Sequence, residues 1–146
     1  MPHRLAGMSK FSIFIKAAGG VIATSIALLT ALRENPQIGQ GIDSAIEKLK
    51  SATNSENPKL RFDAKIAAID AAADAVEVHF PGSAEPARWR RQAQGLRMRG
   101  ELAWNSNTGS AQRRAMKALN SETAEVLGGV NARLVELQAD QQELSD

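Results

Sequence analysis

Apolar residues recur along this chain at intervals of three and four, the period of one helix face. The clearest run is Phe62, Ile66, Ile69, Ala73, Val76 and Phe80, spaced 4, 3, 4, 3, 4. Asp63, Asp70, Asp74 and Glu77 fall largely off that stripe, so the segment after Pro58 predicts an amphipathic helix with a solvated acidic face. Trp89, Ala93, Leu96, Gly100 and Ala103 repeat the spacing and predict a helix over residues 87–104. Met116, Leu119, Thr123, Leu127, Val130, Leu134 and Leu137 predict another over residues 111–137, weakened by Gly128-Gly129. Upstream, residues 42–52 place Ile42, Ile46 and Leu49 on one face, and an apolar helix is expected over residues 9–32.

Breakers stand between these segments. RENPQIGQG carries Pro36, which disfavours a helical Asn35, and then Gly39 and Gly41. TNSENP ends on Pro58, a residue suited to the first helical position. PGSAEP stops one helix and opens the next, and NSNTGS offers cap formers, Ser110 among them. His79, at a helix end, fits a capping or dipole role. The pattern predicts an all-α chain. It would comprise a hydrophobic N-terminal helix in residues 1–34, a linker with a short helix in 35–57, an antiparallel three-helix bundle in 58–138, and a frayed acidic tail in 139–146.

The N-terminal helix raises the question of a membrane. Residues 1–8 read as a loose leader, with Met8 an equal candidate for the first residue. Between Lys16 and Arg33 lie sixteen uncharged residues. As a helix they would span about 24 Å, short of a hydrocarbon core of about 30 Å. If Lys16 snorkels, residues 11–32 reach about 33 Å. Phe11, Phe14, Ile15, Val21, Ile22, Ile26, Leu28, Leu29 and Leu32 share one broad face. On the other face Gly19, Ala23, Ala27 and Ala31 recur every four residues, a small-residue ridge that lets helix backbones approach closely. Three other fates compete with a membrane span: a core helix, a helix lying in the interface plane, and a signal peptide. The last lacks the usual small-x-small cleavage site.

Charge adds one binding hypothesis. The net charge is +2, but it is unevenly spread. Residues 81–120 hold eight cations (Arg88, Arg90, Arg91, Arg97, Arg99, Arg113, Arg114 and Lys117) against Glu85 and Glu101. Residues 121–146 hold Arg133 against six acids. This asymmetry predicts neutralisation within the chain or head-to-tail contacts. Arg88, Trp89, Arg90, Arg97, Arg99, Arg113, Arg114 and Lys117 form a candidate anionic-surface contact, with arginine suited to phosphate and tryptophan to an interface. Their spread over both borders of the apolar arc argues against a groove-reading nucleic-acid binder.

Composition narrows the chemistry further. The chain has no cysteine, no tyrosine and two histidines. Thiolate nucleophiles, disulfides and cysteine metal sites are excluded, and a di-iron bundle would need Glu-x-x-His motifs that are absent. No phosphate loop, dinucleotide fingerprint, HExxH or GxSxG occurs. No cofactor or metal is expected. The sequence is read as a non-catalytic helical protein, membrane-associated through its first helix, that assembles with itself or a protein partner, with membrane lipid a further candidate partner. The alternative is a cytoplasmic interaction domain in which Phe14, Ile22, Ile26 and Leu29 are core. The third reading is nucleic-acid binding through residues 88–117.

Overall fold

The computed structural model describes residues 20–34 and 37–145, and every regular element within them is a helix. These are α1 (Val21–Leu32), α2 (Gly39–Thr53), α3 (Pro58–His79), α4 (Glu85–Ser106) and α5 (Gly109–Ser145).

Alanine sets the centre of the fold. α3 starts where Asn57 Oδ1 accepts from the Lys59 amide at 2.9 Å, with Pro58 following as a residue that has no amide hydrogen to satisfy. Along α3, Ala64, Ala68, Ala71, Ala72, Ala73 and Ala75 are buried beside Phe62, Ile66, Ile69 and Val76. Burial therefore extends well beyond the one stripe that the larger residues mark. A helix apolar nearly all round belongs inside a protein, and α3 packs against each of the other four helices.

One close approach depends on a glycine. The Phe62 ring lies over Gly100 of α4, where an added Cβ would stand 2.6 Å from the ring Cζ. Gly100→Ala is expected to cost about 1–3 kcal/mol, the usual penalty for overfilling a core. Urea unfolding reads this as a lower midpoint, and adding Phe62→Leu should restore part of it. A Gly100→Ala protein as stable as the parent would contradict this packing.

The stripes of α4 and α5 enter the core as expected. Trp89, Ala93, Leu96, Met116, Leu119, Leu127, Val130, Leu134 and Leu137 are buried, with Thr123 bonded to the Leu119 carbonyl at 2.6 Å. The short helix expected between residues 42 and 52 is α2, which buries Ile42, Ala45, Ile46, Leu49 and Ala52 in the same core. One expectation needs correction. The acidic tail does not fray at 139, because α5 runs on to Ser145. Gly128-Gly129 leaves α5 unbroken. Leu127 and Val130 anchor the helix on either side, which offsets about 1 kcal/mol of propensity per glycine.

The N-terminal helix is described only in part. Its expected start at Ser9 lies outside the described residues, but Gly20 takes φ 128 and ψ −168. Among the described residues the helix therefore begins at Val21, directly after Gly20. α1 proper has 12 residues, about 18 Å. Among the described residues no helix is long and apolar enough to cross a membrane.

Candidate interaction surfaces

α1 meets the rest of the chain through its bulky residues. Leu28, Leu29 and Leu32 are buried, and Ile22 and Ile26 are half-buried against the core. Thr24 and Ser25 are buried on the same helix, and both are satisfied. Thr24 Oγ1 donates to the Gly20 carbonyl at 3.2 Å, and Ser25 pairs with Asn131 of α5. The Asn131 amide nitrogen lies 3.0 Å from Ser25 Oγ and also donates to the Val21 carbonyl at 3.2 Å. At the other end of α1, His79 Nε2 lies 3.3 Å from the Leu32 carbonyl. The histidine thus serves the C-terminus of α1 as well as standing at the end of α3.

The small-residue ridge faces the other way. Gly19 lies outside the described residues, Ala23 is half-buried, and Ala27 and Ala31 are exposed. Among the described residues no helix packs on the last two.

The residues of the candidate anionic-surface contact divide into three groups. Trp89 is 3% exposed and belongs to the core, so it cannot serve the surface contact expected of it. Arg90, Arg97 and Arg99 are engaged. Arg90 bridges Asp74 at 2.6 Å and Glu77 at 2.8 Å, Arg97 reaches Asp70 at 2.7 Å, and Arg99 grips Glu122 with both nitrogens at 2.7 Å. Neutralisation within the chain therefore comes mainly from α3 and only partly from the acidic C-terminal segment. Of the acids read as a solvated face of α3, Asp70, Asp74 and Glu77 are the arginines' partners, and Asp63 pairs with Lys59. Arg113, Arg114 and Lys117 are exposed and have no acidic partner among the described residues, and Arg88 is exposed beside Glu85.

These pairs shape the local electrostatics. The hydrogen bond from Arg90 holds Glu77 below the usual carboxylate range, as Arg133 does for Glu85 and Arg99 for Glu122. Lys59 stays above its ordinary value although burial pulls it down, because Asp63 and Glu101 both accept from it. Exposed pairs of this kind contribute at most about 1 kcal/mol each, so they orient helices more than they stabilise them. Among the described residues no group of three or more His, Cys, Asp or Glu could hold a metal ion.

Two features escaped sequence reasoning. On the outer face of α4, Met98 is 63% and Leu102 68% exposed, one turn apart. Arg91, Gln94 and Asn105 share that face and are exposed as well. The i, i+4 spacing of Met98 and Leu102 was the available signal, hidden beside the stronger Trp89 stripe. The second is Lys65, which is 7% exposed and donates to Asn120 Oδ1 at 2.6 Å, while Asn120 Nδ2 donates to the Pro58 carbonyl at 3.0 Å. Burial, with the charge of Arg61 second, pushes Lys65 from 10.5 down to about 8.

Comparison of the chain with family models, with curated proteins and with solved structures found no match in any of the three.

Proposed function

We propose that this is a non-catalytic helical protein that acts by self-association, with α1 part of its core and the outer face of α4 its working surface. In this reading the helices form an antiparallel bundle. Its support is the order of the interhelix pairs: Arg90, Arg97 and Glu101 on α4 meet Glu77, Asp70 and Lys59 on α3, one series ascending as the other descends. Arg99–Glu122 and Glu85–Arg133 repeat the pattern between α4 and α5. The N-terminal helix then acts as a structural element rather than an anchor, because its bulky face is already occupied.

The observation that carries the functional reading is the exposed Met98/Leu102 pair. Large apolar side chains adjacent on one helix face favour burial against another surface. Arg91 on the same face gives that surface a positive edge, and the exposed acid Asp140 near the end of α5 gives a second copy a matching negative one. Such a head-to-tail contact would place an acidic α5 end against a basic, apolar α4 face.

Sedimentation velocity over a range of protein concentrations tests this. The parent chain is expected to associate, and to do so less at high salt. Met98→Glu with Leu102→Glu should yield a folded monomer, since both positions are exposed and such surface changes usually alter stability by less than about 0.5 kcal/mol. A parent that is monomeric throughout, or a double variant that associates like it, removes the proposal.

A further inference from the structure

The cleft between α1, α2 and α3 has a volume of about 660 Å³, within the size range of small-molecule sites. One wall is apolar: Val21, Ile22 and Ile26 of α1. The other carries three cations, Lys50, Arg61 and Lys65, and among the described residues no carboxylate lines the cleft. Lys59, Arg90, Arg97, Arg99 and Arg133 are paired with carboxylates, and Arg113, Arg114 and Lys117 stand exposed to solvent. Among the described residues none of the three cleft cations has a carboxylate partner, and Lys65 is buried. Arg61 gives its Nε hydrogen to the Ser55 carbonyl at 2.7 Å, which satisfies one donor but no charge. Lys65 gives one hydrogen to Asn120, while an ammonium has three.

We propose that this cleft binds a single-chain amphiphile with a carboxylate head: the head received by Lys65 and Arg61 with Lys50 at the rim, the alkyl chain lying along Val21, Ile22 and Ile26. Each half of the lining calls for one half of that ligand. A plain inorganic anion would leave the apolar wall unused, and an uncharged alcohol would leave a nearly buried lysine without a counter-charge. Burying charge beside charge is favourable only when signs are opposite and hydrogen bonds complete the contact. The Lys65 pKa is lowered by burial and by Arg61, and an anionic head supplies the opposite charge that neither provides. This inference is independent of the α4 face, which lies on other elements.

Isothermal titration of the full chain with sodium decanoate, kept below its micelle concentration, tests it, with decanol and inorganic phosphate as the paired probes. Saturable one-to-one binding of decanoate is expected, with decanol and phosphate each at least about tenfold weaker. Lys50→Gln with Arg61→Gln changes two exposed residues and should weaken decanoate about tenfold while leaving the unfolding curve in place. Lys65→Gln should weaken it at least as much. Absence of saturation, equal binding of decanol, phosphate binding as tight as decanoate, or an unchanged affinity in the Lys50/Arg61 double variant would each overturn the assignment.

Discussion

Leu29→Ala is expected to destabilise the protein by roughly 2–5 kcal/mol, the usual loss when a buried leucine is cut back and the site collapses only in part. Leu29 is 1% exposed and sits on α1 where that helix meets the core. The effect is informative because the same residue would face lipid in a membrane anchor, where its loss would leave the rest of the fold untouched. Ala27→Ser, on the exposed side of α1, serves as the control and should change stability by less than about 0.5 kcal/mol. Urea denaturation of the full chain measures both. Equal, small effects at the two positions would mean that α1 does not dock as described. Asn131 belongs to the same test, since removing its amide leaves the buried Ser25 hydroxyl without its partner.

Stability is also expected to rise with pH between about 8 and 10.5, and Lys65 is the reason. In the unfolded chain it titrates near 10.5, while in the fold burial and Arg61 push it down to about 8. Across that window the unfolded chain therefore holds the extra proton, and stability increases with pH. Below about 8 both states are protonated and the full cost of the buried charge is present. A shift of this size gives about 2–3 kcal/mol by pH 10. The window is unusually clear, because the chain has neither cysteine nor tyrosine to titrate there and Lys59 shifts upward, out of it. Unfolding free energies at pH 7 and pH 10 should diverge in the parent and run nearly level in Lys65→Met. Parallel slopes in the two proteins would remove Lys65 as the cause.

Much of the architecture was legible because helix periodicity is a local property. The stripes through Phe62, Trp89 and Met116 depend only on residue spacing, and each entered the core. What was hidden depends on which helices meet. The alanines between Phe62 and Val76 read as ordinary helix formers, yet they let four helices gather round α3. Gly100 read as one more apolar position, and its meaning lies in the Phe62 ring above it. The arginines invited a binding hypothesis, yet Asp70, Asp74 and Glu77 on another helix answer three of the strongest contacts. The anchor expectation rested on hydropathy summed across residues 11–32. The described helix begins only after Gly20, whose positive φ no hydropathy sum contains, and it keeps 12 residues.

The claim on which the rest depends is that the apolar N-terminal helix belongs to the core. Amide hydrogen exchange on the full chain in buffer addresses it directly. The amides of Thr24, Ser25, Leu28, Leu29 and Leu32 should exchange slowly, with protection approaching that of α3, because docking by Leu28, Leu29 and the Ser25–Asn131 pair ties α1 to the cooperative unit. Exchange of these amides at unprotected rates, while α3, α4 and α5 remain protected, would contradict the account and return α1 to the role of a free or membrane-seeking segment.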